Sequence, residues 1–181
     1  MSSVVISGDT SGAITLAAPT VAGTNTATLP AATGTVMVSG NMPAFSAYAN
    51  SAQTITNSSW TKVQFNTETF DTASAFDSTT NYRFTPLVAG YYQINVIAGC
   101  TSASAIGITG VSIYKNGSGA STLYGAGSTS NYCSYSNSSI IYLNGSTDYV
   151  EGYLLQSSGS SQSLITGVAA SSFSGVLVRA A

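Results

Sequence analysis

Gly90-Tyr91-Tyr92-Gln93-Ile94-Asn95-Val96-Ile97-Ala98 alternates without a break. Successive side chains of a strand point to opposite faces, so Tyr92, Ile94, Val96 and Ala98 share one face and Tyr91, Gln93, Asn95 and Ile97 the other. The first set suits a sandwich core. The second mixes aromatic and polar residues, as a contact between subunits does. The same period returns downstream, where Val150, Gly152 and Leu154 oppose Tyr149, Glu151, Tyr153 and Leu155, and Phe173, Gly175 and Leu177 oppose Ser174, Val176 and Val178.

Upstream, the stretch from Gln53 to Phe65 reads as two strands broken at Asn57-Ser58-Ser59, and Phe70 and Phe76 flank a polar loop carrying Asp71 and Asp77. Downstream, Val111-Ser112-Ile113-Tyr114 runs into Lys115-Asn116-Gly117, a hairpin signal because Asn and Gly tolerate the positive φ of a two-residue turn. No helical period interrupts the series. Strands at this spacing predict an all-β sandwich or jelly roll.

Composition points the same way. Hydrophobic residues make up 44% of the 181-residue chain and charged residues only 6%, against roughly 25% in ordinary soluble domains. No charge occurs between Asp9 and Lys62, nor between Lys115 and Asp148. Ser, Thr, Asn and Gly keep such a surface wet; they disfavour helix interiors, while Thr and the eleven tyrosines favour strands. A neutral, hydroxyl-rich surface suits a subunit largely covered in an assembly. The cations are Lys62, Arg83, Lys115 and Arg179; four scattered cations do not form the basic face that nucleic acid requires, nor a polybasic membrane anchor. The first residues lack the basic start and continuous apolar run of a secretory signal, so the chain is expected to be made and kept in a cytoplasm until released.

The landmarks from residue 43 to the end have a characteristic order. They are Pro43-Ala44-Phe45-Ser46-Ala47-Tyr48, Val63-Gln64-Phe65-Asn66, Phe84-Thr85-Pro86-Leu87-Val88-Ala89-Gly90-Tyr91-Tyr92, Val111-Ser112-Ile113-Tyr114-Lys115-Asn116-Gly117, Tyr142-Leu143-Asn144-Gly145 and Phe173-Ser174-Gly175-Val176-Leu177-Val178. In that order and spacing residues 43–181 resemble the C1q-like branch of the tumour-necrosis-factor superfamily. The resemblance implies a ten-strand jelly roll that assembles as a homotrimer and works by binding and display, not catalysis. The chain departs from the family at Gly145-Ser146-Thr147-Asp148-Tyr149-Val150, where a longer hairpin is expected, and it lacks a collagen-like Gly-X-Y stalk.

Residues 1–40 read differently. Short alternations at Ala13–Ala17, 26–29 and 35–38 are separated by Pro19, Gly23, Pro30 and Gly34. Strands this short make no core alone. They are expected to pair with the same segment of other subunits or with a docking partner. The wording from Ile14 to Pro19, and from Gly23 through Pro30 to Val36, resembles a segment of fibre and structural proteins of tailed bacteriophages. It implies an extended β-rich segment attaching the head to other virion proteins.

Little in the sequence points to chemistry. The chain has no histidine, so Ser-His-Asp and Cys-His arrangements are impossible, and no cofactor or metal site is expected. Asp71 and Asp77 flank one loop and are the only pair worth weighing, either as glycosidase carboxylates or as calcium ligands. Cys100 and Cys133 read as buried thiols, with a disulfide as the alternative. Tyr91, Tyr153 and Phe173 are the candidates for a trimer seam. Tyr124, Tyr132 and Tyr135, set amid Ser and Asn, have the composition of a binding surface, and sugars stack on such rings; packing in the trimer seam is the alternative. The expectation is a homotrimeric virion protein, a tail fibre or a capsid decoration, binding a host-surface glycan. A bacterial surface carbohydrate-binding protein and a glycan hydrolase are the alternatives.

Overall fold

The computed structural model describes residues 3–8, 10–21, 23–26, 31, 36, 42–101, 107–126 and 132–181, and all of its regular structure is β. The chain divides into two compact units, Met1–Gly34 and Thr35–Ala181.

In the first unit β1 (Ser3–Ser7) pairs antiparallel with β2 (Ala13–Ala17), Val4 opposite Leu16 and Ile6 opposite Ile14. The turn closes with the Gly8 amide donating to the Gly12 carbonyl. Ala13–Ala17 thus pairs along one edge with a strand of its own chain. The two other expected strands, over 26–29 and 35–38, fall largely outside the described residues.

In the second unit two sheets face each other. One runs in the order β12 (Tyr132–Leu143), β9 (Gly90–Thr101), β15 (Ser172–Ala180), β3 (Ala44–Tyr48), β6 (Thr67–Asp71). The other runs β11 (Ser118–Ala126), β10 (Ile108–Lys115), β13 (Val150–Gln156), β8 (Arg83–Phe84), β7 (Phe76–Asp77), with β5 (Thr61–Lys62) paired to β13 at the side. Two short strands, β4 (Thr54–Ile55) and β14 (Gln162–Ser163), pair separately. Among the described residues the main paths of the two sheets hold ten strands, the number that the family resemblance implies.

The alternation seen in the sequence sets which face each residue takes. Tyr92, Ile94, Val96 and Ala98 are fully buried, and so are Phe173 and Val150. Phe45 stacks on Phe84 at 4.3 Å between ring centroids and meets Phe173 edge-on at 5.1 Å, while Phe65 stacks on Phe173 at 5.3 Å. Rings at such offsets add about 0.5–1.5 kcal/mol each beyond area burial. The Tyr92 hydroxyl is not wasted in this core: it donates to the Val88 carbonyl at 2.7 Å.

Turns follow their residues. Asn116 and Gly117 take φ of 52° and 78°, closing β10 onto β11 in a hairpin with Lys115 opposite Ser118. The break at Asn57-Ser58-Ser59 is real, with Ser58 at φ 53°. The stretch after Asn144 is not a hairpin. It carries the chain from β12 in one sheet to β13 in the other, and the Asn144 Oδ1 organises it by accepting from the amides of Ser146, Thr147 and Asp148. Because no pairing joins its two flanking strands, extra residues cost no register.

Candidate functional site

The three residues expected to share a subunit seam fall in three different layers. Tyr91 points out from the five-stranded sheet, 44% exposed. Tyr153 stacks on Tyr114 at 3.9 Å on the opposite sheet. Phe173 lies fully buried between them, so its ring fills the protomer's own core and is unavailable to a neighbour. The sequence period had grouped Phe173 with Gly175 and Leu177 on one face without saying which way it points, and the structure turns that face inward.

Around Tyr91 the outward face of the five-stranded sheet is laid out in rows. Tyr142 pairs with Tyr91. The next row runs Ile140, Gln93, Val176, Ala44. Below it come Ser138, Asn95, Ser174, Ser46 and Phe70, and then Ser136, Ile97, Ser172 and Tyr48. The three rows below Tyr91 and Tyr142 contain no charged residue. Ile140, Phe70, Tyr142 and Val176 are among the exposed large hydrophobic residues of the chain. The polar members satisfy one another, Gln93 donating to Ser138 and Ser138 to Asn95 at 2.7 Å. Such a face gives up little hydration when it is covered.

The other sheet carries an aromatic platform that reading the sequence did not assemble. Trp60 lies over Gly110, where a Cβ would come within 2.8 Å of the indole. Its ring packs against Tyr124 at 5.8 Å and Tyr114 at 6.3 Å, and Tyr114 stacks in turn on Tyr153. The strap that delivers Trp60 is anchored by the Ser58 amide donating to the Gln156 carbonyl and by the Gly159 amide donating to Asn57 Oδ1. Beneath it Lys62 pairs with the buried Glu151 at 3.0 Å, and the Tyr153 hydroxyl reaches the same carboxylate. Burial, helped by the Glu151 charge, pushes the Tyr153 hydroxyl up to about 12, and burial also raises Tyr114. Both phenols therefore remain neutral donors. Tyr124 keeps 61% of its surface open, leaving a broad, ring-lined area facing solvent.

The other two binding candidates lie elsewhere. Tyr132 is exposed at the start of β12. Tyr135 packs over Gly125 and donates to the Ala126 carbonyl at 2.5 Å, tying β12 to β11. It serves the framework. Trp60 and Tyr114 were missed because no local period links them to Tyr124 and Tyr153; the pairing of β10 with β11 and β13 gathers the tyrosines, and the pairing of β5 with β13 brings in Trp60.

Asp71 and Asp77 each bind backbone amides of the loop they belong to. Asp71 accepts from the amides of Ala73 and Phe76, and Asp77 from the amides of Thr79, Thr80 and Asn81. The Thr80 and Thr79 amides hold the Asp77 carboxyl well below the usual carboxylate range. Each carboxylate thus caps its own loop, which accounts for its position without a ligand. No group of three or more His, Cys, Asp or Glu side chains is placed to hold a metal among the described residues.

No protein-family model and no curated protein sequence matches the chain. Solved structures do. The globular domain of zebrafish complement 1qA matches at TM-score 0.55 and 19% identity, covering 77% of this chain and 99% of its own. Murine APRIL matches at TM-score 0.59 and 9% identity over 76% of this chain and 99% of its own. The Eiger TNF of S. frugiperda matches at TM-score 0.60 and 9% identity over 78% of this chain and 95% of its own. At these identities the likeness is one of fold: the chain carries a C1q/TNF-like jelly roll.

Proposed function

We propose that this protein is a homotrimeric virion component of a tailed bacteriophage, a fibre or decoration protein whose residues 1–40 attach it to the particle and whose head binds a host-surface glycan. The observation that carries this reading is the outward face of the five-stranded sheet. Its three uncharged rows, with Ile140, Val176 and Phe70 open, suit burial against copies of the same chain about a threefold axis. Phage attachment rests on the wording of residues 14–36.

The glycan reading rests on the opposite face. Trp60 and Tyr124 offer ring surface for the C–H face of a hexose, and neutral phenols nearby offer hydrogen bonds without a charge to desolvate. Three copies on one trimer multiply a weak single contact. No catalytic step belongs to this reading.

Native mass by light scattering on the purified full chain is the test. Three times the protomer mass is expected. A monomer would remove both the seam and the multivalent display, and a lone carbohydrate-binding domain would take their place.

A further inference from the structure

Cys100 and Cys133 stand directly opposite each other on neighbouring antiparallel strands, β9 and β12. Directly paired residues of an antiparallel ladder have Cα atoms about 4.5 or 5.5 Å apart, both within the span of a disulfide. The register alone therefore puts the two side chains in bonding reach. Their sulfurs lie 3.9 Å apart, both are reduced, and both are buried. Cys133 Sγ also meets the hydroxyl of the fully buried Thr109 at 3.1 Å. No other cysteine is in the chain to compete.

We propose that Cys100 and Cys133 form a cross-strand disulfide when the folded protein meets a disulfide oxidant, and that this bond staples the β10–β11 hairpin into the head. The segment between the two cysteines contains that whole hairpin, which carries Tyr114, Tyr124 and the Gly110 floor beneath Trp60. The bond would close the ring of chain that holds the aromatic platform.

The chemistry balances in two exchanges. The Cys133 thiolate attacks one sulfur of a small disulfide such as oxidised glutathione, forming a mixed disulfide and releasing one thiolate. Cys100 then loses its proton and displaces the second glutathione thiolate, leaving the Cys100–Cys133 bond. Two protein thiols are oxidised and one disulfide is reduced to two thiols. Cys133 is the better first nucleophile. A hydrogen bond from the Cys100 thiol, seconded by the Thr109 hydroxyl, lowers it from the ordinary thiol value, while the contact with Cys133 and burial push Cys100 up. Cys133 also sits one residue inside the start of β12 and keeps 6% exposure, whereas Cys100 has none.

The experiment treats the reduced full-length protein with oxidised glutathione, then alkylates it in denaturant so that buried thiols are counted. Intact mass should show the loss of two hydrogens and no alkylation, with a peptide map joining the segments around residues 100 and 133. Thermal unfolding should shift upward by on the order of 10 °C and return with reductant, as expected for cross-linking a loop of this size in a chain of this length. Cys100→Ser should keep the reduced midpoint with or without oxidant; should it fail to fold, the reduced and oxidised native protein still decide. Two alkylatable thiols after oxidation, stable glutathione adducts, a link between chains, or an unchanged midpoint would each overturn the proposal.

Discussion

The two outward faces of the sandwich use tyrosine in opposite ways. On the six-stranded sheet Tyr114 and Tyr153 stack on each other, and Trp60 bridges Tyr114 to Tyr124, so the rings are held before anything binds. On the five-stranded sheet Tyr91 and Tyr142 lean together at 5.5 Å but leave the aliphatic rows beside them uncovered. A platform with internal partners would lose little rotamer freedom on meeting a ligand. A face with uncovered Ile140 and Val176 gains most from being covered by more protein. Tyrosine content alone does not separate these roles; the neighbours do.

The layer between the two faces gives the strongest test of that division. Phe173→Ala should destabilise the protomer by about 3–5 kcal/mol, because the ring is fully buried against Phe45 and Phe65. Denaturant unfolding would read it. A variant that instead kept its stability and lost its native mass would return Phe173 to a subunit seam.

Next in size is Ile140→Glu on the five-stranded face. It should leave the folded protomer intact and weaken self-association tenfold or more, at about 1.4 kcal/mol per tenfold, since it buries an unpaired carboxylate in each contact. Light scattering across a dilution series would show the mass falling to one protomer. An unchanged mass would move the seam off this face.

Trp60→Ala should do the reverse, holding the oligomer mass and weakening glycan binding by roughly tenfold, as expected for truncating a central aromatic. Binding to host-cell polysaccharide, compared with the Tyr132→Ala variant, would separate the platform from the isolated ring. Equal losses in both variants would dissolve the distinction between them.

The smallest effect concerns pH. Asp77 is held below its unfolded value by the Thr80 and Thr79 amides, and Asp148 is lowered by hydrogen bonds from Lys115 and Asn116. For a depressed carboxylate the stabilisation is complete above the unfolded pKa, about 3.9, and is lost as pH falls through the folded value. Thermal midpoints should therefore hold from neutral pH to about pH 5 and decline below about pH 4. Asp77→Asn should flatten part of that decline, and a midpoint falling already at pH 6 would contradict it. Both groups are only partly covered and lie at the surface, so screening by solvent keeps the effect modest.

Much of the head was legible without coordinates. The run at Tyr92–Ala98 placed its inner residues correctly, and the runs at Val150–Leu154 and Phe173–Leu177 sorted their residues into the two faces that the structure shows, because a strand side chain has only two directions to take. Asn116-Gly117 announced its own turn. The order of the head landmarks resembled a jelly roll, and that is the fold. The site was far less legible. Phe173 and Tyr153 were grouped with Tyr91 as aromatic strand residues, yet ring chemistry says nothing of which sheet a strand joins. The Asp71 and Asp77 carboxylates looked available until the loop amides that occupy them were in place. Pairing of Ser3–Ser7 with Ala13–Ala17 was missed because two short uncharged runs carry too little pattern to declare a register.

Sequence by itself determined the main strands, the alternation of their two faces and the scarcity of charge, since these depend on residues near one another along the chain. Tertiary structure alone decided that Trp60 covers Gly110, that Cys100 faces Cys133, and that Tyr91 and Tyr153 look away from each other. Those facts depend on strand order and register, which bring together residues that no local period connects.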